Sequence, residues 1–324
     1  MDLPDFHLLC GFLGSGKTSL IAEALAQEKF ANTGVIVNEV GEINIDGAVL
    51  SATASGLQIA TMSNGCVCCS LQGDLPFTVA GLMDANEERG DPPLARIILE
   101  TSGLSRPAPI LRNLLGLPIP FRVHVIATYD CTRNILTGTR YEEAVAQIAG
   151  AQTIILTKLD CASASQIEES RKLVGALNPF AMIVQEPVGG QRSELAFVQP
   201  DTRPSLPLPY GFVATSPALS HERARIFFVT PIDQHWPDVL LWLSDLAGFC
   251  GEKLLRVKGI VRPDSNRPWL LVQSVGTVFD QPRTIDKPDT MDHGVVVIAR
   301  DIFETDLRAL SSETAIQVKE LRSS

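Results

Sequence analysis

Phe6-His7-Leu8-Leu9-Cys10-Gly11-Phe12-Leu13-Gly14-Ser15-Gly16-Lys17-Thr18-Ser19 is the stretch that decides how the first half of this chain folds. Phe6 to Cys10 is a short apolar run of strand type. Gly11 to Thr18 fits the pattern GxxxxGK[ST], and Thr18 to Ala26 places Leu20, Ile21 and Leu25 at helical spacing. A strand, a glycine-rich turn and a helix in that order form a loop whose backbone N–H groups can wrap phosphate oxygens at a helix N-terminus. Lys17 would reach β- and γ-phosphates, and the Thr18 hydroxyl suits Mg2+. Gly11, Gly14, Ser15, Gly16, Lys17, Thr18 and Ser19 are the expected nucleotide contacts. A glycine-rich turn with a solvated lysine is the plainer reading, and the full pattern in its strand–helix context fits it poorly.

Further along, apolar runs of strand type recur at Val35-Ile36-Val37, Leu57 to Met62, Ile97-Ile98-Leu99, Val123 to Ala127, Thr153 to Leu156 and Ala181 to Val184. Helical spacing separates several of them, at Leu75 to Met83, Tyr141 to Ala149 and Gln166 to Leu177. Continuous apolar strands alternating with helices predict an α/β domain over residues 1–188, a mostly parallel sheet covered by helices. From Glu186 the pattern lapses into glycine and proline, and residues 189–220 read as a linker. Residues 221–324 read as a smaller α+β domain. Its strands are expected at Ile226 to Val229, Leu254 to Val261, Leu270 to Val275 and Val295 to Ala299, with helices from Pro237 and near Thr305.

Two segments complete a nucleotide site. Glu100-Thr101-Ser102-Gly103 follows a buried-type strand. A carboxylate there can hold Mg2+ directly or through water, and the Gly103 N–H can report the γ-phosphate. Thr157-Lys158-Leu159-Asp160 also follows a buried strand. A carboxylate at Asp160 can accept two N–H bonds from guanine, whereas adenine offers no such pair. The competing reading makes Asp160 the N-cap of the next helix. Lys17, Glu100 and Gly103 are the expected catalytic group, and Thr157, Lys158 and Asp160 the expected base contacts.

Cys66-Val67-Cys68-Cys69 sits between these segments, beside the turn signal Asn64-Gly65. Three thiols within four residues suit Zn2+ or another soft or borderline ion, and they supply at most two or three ligands from one turn of chain. Glu39 and Glu42 are candidate additional ligands, or equally solvated or Mg2+-side carboxylates. A redox dithiol and simple core packing are the alternatives. Cys10, Cys131, Cys161 and Cys250 read as packing residues.

The chain has 324 residues, 45% of them hydrophobic, and a formal net charge of −10. That charge gives no electrostatic reason to bind nucleic acid or an anionic membrane. The N-terminus lacks the pattern of a signal peptide, and no stretch is apolar enough to span a bilayer. A cytoplasmic location is expected, in which clustered cysteines speak for metal or redox chemistry.

Taken with Val37-Asn-Glu-Val-Gly-Glu-Ile-Asn-Ile-Asp46, Gly73-Asp74-Leu75 and Leu254-Leu-Arg-Val-Lys-Gly-Ile260, these motifs resemble the CobW family of P-loop GTPases, relatives of the urease- and hydrogenase-maturation GTPases. The resemblance implies slow, metal-regulated GTP hydrolysis, with GTP and Mg2+ bound and a metallochaperone or insertase role, often for zinc and sometimes for cobalt. A client metalloprotein or a metal-cofactor pathway enzyme is the implied partner. The histidine-rich stretch of many relatives is missing. The rival readings are a P-loop ATPase or nucleotide kinase with structural zinc, and a non-catalytic zinc sensor or buffer.

Overall fold

Seven parallel strands carry the first half of the computed structural model, in the order β3-β2-β4-β1-β5-β6-β7. They are β1 (Asp5–Gly11), β2 (Thr33–Asn38), β3 (Gln58–Met62), β4 (Arg96–Glu100), β5 (Arg122–Asp130), β6 (Thr153–Thr157) and β7 (Met182–Val184). The structure describes residues 3–38, 58–62, 71–115, 117, 120–136, 141–197, 223–233, 235–286, 293–310 and 313–321.

The helices among them are α1 (Lys17–Leu25), α2 (Leu71–Glu88), α3 (Pro107–Leu114), α4 (Glu142–Gly150), α5 (Ala164–Leu177) and α6 (Arg192–Ala196). Strands β1, β4, β5 and β6 are buried along nearly their whole length. This is why they read as unbroken apolar runs and not as alternating ones. Leu9, Ile98, Ile126 and Ile155 pack against Leu20, Ile21 and Ala24 of α1. Full burial of one such aliphatic side chain contributes about 1.5–3 kcal/mol.

The strand order fixes the site. From β1 the chain moves through α1 to β2 and β3 on one side, returns to β4 beside β1, and then crosses to β5 on the other side. The crevice at the carboxyl ends of β4, β1 and β5 is the switch point at which α/β sheets bind ligands.

Within the stretch 189–220 that reads as a linker, Arg192–Ala196 is helical, and Ala196 and Phe197 are buried against the sheet. Arg192 donates from Nε to Oε2 of Glu23 on α1 at 2.6 Å. Residues 198–222 lie outside the described residues.

The chain divides into two compact units, the second holding residues 136–145, 172–180 and 201–324. Its sheet is antiparallel, in the order β11-β10-β9-β13-β8-β14, with β12 paired to β10. The strands are β8 (Ala224–Pro231), β9 (Leu254–Val261), β10 (Trp269–Val275), β11 (Val278–Phe279), β12 (Arg283–Ile285), β13 (Gly294–Arg300) and β14 (Ile316–Glu320). Helix α7 (Val239–Cys250) lays Trp242, Leu243 and Leu246 on Val257, Val295 and Val297. The helix starts two residues after Pro237, because Pro237 and Asp238 form a turn. The helix expected near Thr305 is the five-residue α8 (Glu304–Arg308), followed by the edge strand β14. The architecture is a parallel α/β unit of P-loop type and a separate antiparallel α+β unit, as the sequence leads one to expect.

Candidate nucleotide site

Strand β1 delivers its chain into the crevice as Gly11 to Gly16. Gly11 has φ +149°, and a β-carbon there would lie 2.1 Å from Oγ1 of Thr128. The loop can pass this close to β5 only with glycine. Gly14 and Gly16 have φ +72° and +87°, and Gly16 is the residue that caps α1. Ser15 is buried, with its hydroxyl 2.6 Å from that of Thr128. Lys17 is buried too, and its Nζ donates to the carbonyl of Gly11 at 2.9 Å. The ammonium is thereby curled over its own loop, where the β- and γ-phosphates of a bound nucleotide would sit. Ser19 is exposed on the first turn of α1.

Strand β4 pairs with β1 in parallel, and Thr101 N–H extends that ladder to the carbonyl of Leu9 at 3.0 Å. Glu100 is thereby placed beside the loop, 3% exposed, and Oε1 accepts a 2.8 Å hydrogen bond from the Thr18 hydroxyl. A hydroxyl and a carboxylate in contact at the phosphate end of a helix are the oxygen donors that Mg2+ takes. The residues present fit that ion. Gly103 packs directly on the loop, since a β-carbon there would lie 2.6 Å from the Leu13 nitrogen. Lys17, Thr18, Glu100 and Gly103 thus share one end of the crevice.

Strand β6 supplies the other end. The Thr157 hydroxyl lies 2.9 Å from the Ser15 carbonyl and 3.0 Å from that of Tyr129, joining this segment to the phosphate loop and to β5. Thr157 is buried, so its position suits bracing better than direct contact with a base. Lys158 has φ +55°, in the left-handed region that costs a non-glycine residue of order 1 kcal/mol or more. Its Nζ donates to Oδ2 of Asp130 at 2.7 Å. Asp130 is 2% exposed, and its Oδ1 also accepts from the backbone N–H and hydroxyl of Thr132. Burial alone would raise the Asp130 pKa; the bonds from Lys158 and Thr132 outweigh it and hold the carboxyl below its usual value.

Asp160 is exposed. It does not cap the following helix. Ser163 does so, accepting from Gln166 N–H at 3.3 Å while its own N–H donates to the Gln166 side chain at 2.8 Å. This reciprocal capping box removes the competing reading of Asp160. Cys161, expected to be a packing residue, is instead exposed, and its thiol lies 3.5 Å from Oδ2 of Asp160. The neighbouring carboxylate raises the thiol pKa and so favours the protonated, poorly ligating form. Cys10, Cys131 and Cys250 are buried, and burial pushes Cys10 up to about 12.

Glu39, Glu42, Cys66, Cys68 and Cys69 lie outside the described residues. Among the described residues, no group of three or more His, Cys, Asp or Glu side chains is arranged to hold a metal ion. No helix among them is long and apolar enough to cross a membrane.

Against known proteins, residues 5–185 match the nucleotide-binding domain of the CobW/HypB/UreG family. The chain belongs to that family. Residues 225–313 match the cobalamin synthesis protein CobW C-terminal domain. The chain is 27% identical over 313 residues to the zinc chaperone YjiA of Escherichia coli strain K12, covering 93% of this chain and 96% of that protein. It is 39% identical over 217 residues to zinc-regulated GTPase metalloprotein activator 1 of Dictyostelium discoideum, covering 55% of this chain and 44% of that protein. A Zn(II)-bound structure of the E. coli YjiA GTPase shares the fold, with a TM-score of 0.68 at 21% identity over 95% of this chain and 98% of that one.

The CobW/HypB/UreG motifs of the sequence miss three side chains that the fold brings to the site. Thr128 braces the phosphate loop, Asp130 holds Lys158, and Gln147 on α4 reaches the turn at Gly103. One signal was available: polar Thr128 and Asp130 follow the apolar Val125-Ile126-Ala127 of β5 at its carboxyl end.

Proposed function

We propose that the chain is a GTP-hydrolysing metallochaperone or metal insertase of the CobW family, which takes zinc as cargo at Cys66, Cys68 and Cys69. The observation that carries the GTPase reading is the contact of Thr18 with Glu100 beside the buried Lys17. Lys17 and the backbone of Gly11 to Gly16 would bind the phosphates. Thr18 and Glu100 would hold Mg2+, which would supply positive charge against the charge that develops on the phosphates. Asp160 would read guanine, next to Lys158, whose side chain Asp130 holds. A water oxygen attacks the γ-phosphorus in line, the bond to the β–γ bridging oxygen breaks, and GDP and phosphate leave. Little covalent chemistry falls to the protein, so positioning and electrostatics carry the catalysis.

Support for zinc comes from the relatives, two of which are named a zinc chaperone and a zinc-regulated activator. It comes also from the donor set: three thiols within four residues, Cys66, Cys68 and Cys69, suit a soft or borderline ion. Co2+ or another transition metal would suit the same thiols. A client metalloprotein or an enzyme of a metal-cofactor pathway is the proposed recipient, in the cytoplasm.

The test is GTP and ATP turnover with Mg2+, before and after chelation of transition metal, in the wild type and in a Cys66→Ser, Cys68→Ser, Cys69→Ser variant. Turnover of GTP over ATP, with zinc bound by the wild type and lost from the triple variant, is the expected result. Preference for ATP, or zinc retained by the variant, overturns it.

A further inference from the structure

The side chain of Gln147 is 1% exposed and points from α4 at the segment after β4. Its Nε2 donates to the Gly103 carbonyl at 3.1 Å and to the Ser105 carbonyl at 2.8 Å. Both hydrogens of one amide are thus spent on two carbonyls of one turn. The turn itself closes through the Ser105 N–H and the Ser102 carbonyl at 3.0 Å. On its other side, Gly103 lies so close to Leu13 of the phosphate loop that a β-carbon would not fit. The turn is therefore gripped between α4 and the loop. Two buried hydrogen bonds hold it, and a buried carbonyl deprived of its partner carries a desolvation cost.

We propose that Gln147 is a positioning residue for GTP hydrolysis: it fixes the 102–105 turn so that the Gly103 N–H meets the γ-phosphate. The proposal rests on the GTPase reading above. Gln147 touches neither nucleotide nor metal. It acts by deciding where Gly103 stands when the γ-phosphate arrives and when it departs. Helix α4 runs directly into β6, which ends in Thr157 and the base-reading segment, so the same helix joins the γ-phosphate end of the crevice to the base end. A residue so placed discriminates between GTP and GDP. It contributes little to the affinity for GDP, which has no γ-phosphate to be met.

Gln147→Glu keeps the shape and removes the donors. An ionised carboxylate would face two carbonyl oxygens, whereas the protonated acid can again donate to one of them. At pH 8 the variant is expected to bind GDP within about twofold of wild type while kcat for GTP falls roughly 10- to 100-fold. The ratio of affinities for a non-hydrolysable GTP analogue and GDP should fall with it. Lowering the pH to 6 should restore part of the lost kcat in this variant, a limb the wild-type profile lacks. Gln147→Leu, which has no titratable group, should lose the same activity without pH rescue. Circular dichroism and melting temperature establish that each variant is folded. Should Gln147→Leu prove unfolded, the pH limb of Gln147→Glu decides alone. A folded Gln147→Glu with unchanged kcat and an unchanged analogue-to-GDP ratio overturns the proposal, as does an equal loss of affinity for both nucleotides. A wild type that hydrolyses no GTP overturns the GTPase reading, and this inference with it.

Discussion

His7 lies at the centre of the sheet on β1, 0% exposed, in register with His124 on β5. Its ring meets those of His124 and Phe197 edge to face, at 5.5 Å and 5.4 Å between centroids. Neither of its ring nitrogens has a hydrogen-bond partner among the described residues. Burial first, then the positive fields of His124, Arg96 and Arg122, hold its pKa well below the ordinary 6.5. The unfolded chain therefore takes up a proton near pH 6.5 that the folded chain refuses. Stability is fully expressed above that pH and is lost as the pH falls below it. The loss is about 1.4 kcal/mol per pH unit until the folded pKa is reached. In His7→Leu this contribution should vanish. Urea unfolding at pH 7.5 and 5.5, followed by circular dichroism, should then show a shallower fall for the variant than for wild type. Equal falls would show that His7 is protonated within the fold.

Helix α6 shows what an element too short for periodicity can hold in place. Its Arg192 and the Glu23 it pairs with are only 6% and 14% exposed, and Ser193 accepts from Gln27 of α1 at 2.7 Å. Replacing Arg192 alone leaves a carboxylate buried against the core. Arg192→Met should therefore destabilise the chain by about 3–5 kcal/mol, and Glu23→Leu with Arg192→Met should recover most of that. A double variant no more stable than the single one, by thermal melting, would show that the pair does more than neutralise itself. Five residues beside Gly189, Gly190 and Pro187 give no repeat to read, which is why α6 was not legible in the sequence. The same holds for β11, β12 and β14, of two, three and five residues. The long elements were legible, because a strand buried on both faces is apolar along most of its length. The phosphate loop, Glu100 to Gly103 and Thr157 to Asp160 were legible because each is contiguous. Thr128, Asp130 and Gln147 reach the site only through tertiary packing; the polar end of β5 hints at the first two, and no local pattern marks Gln147.

At the scale of the whole molecule, the topology bears on the proposed link between cargo and nucleotide. Strands β2 and β3 run parallel to β1 and end at Asn38 and Met62, on the same edge of the sheet as the phosphate loop. Three strand spacings separate β3 from β1, about 14 Å. The thiols Cys66 to Cys69 and the carboxylates Glu39 and Glu42 are tethered to these two strand ends by a few residues of chain. On the proposed reading, a γ-phosphate gained or lost at Gly103 would act on the end of β4, the direct neighbour of β2. If the phosphate shifts the free energy of zinc at the thiols, linkage requires zinc to shift nucleotide affinity by the same factor. Couplings of this kind are typically about 1–3 kcal/mol, or roughly 5- to 150-fold. Zinc affinity should therefore differ by at least fivefold between the GDP state and the state with a non-hydrolysable GTP analogue. The analogue-to-GDP affinity ratio should change by the same factor when zinc is added. Equal zinc affinity in the two states would remove nucleotide control of the cargo. It would leave hydrolysis to act on the client and not on the metal.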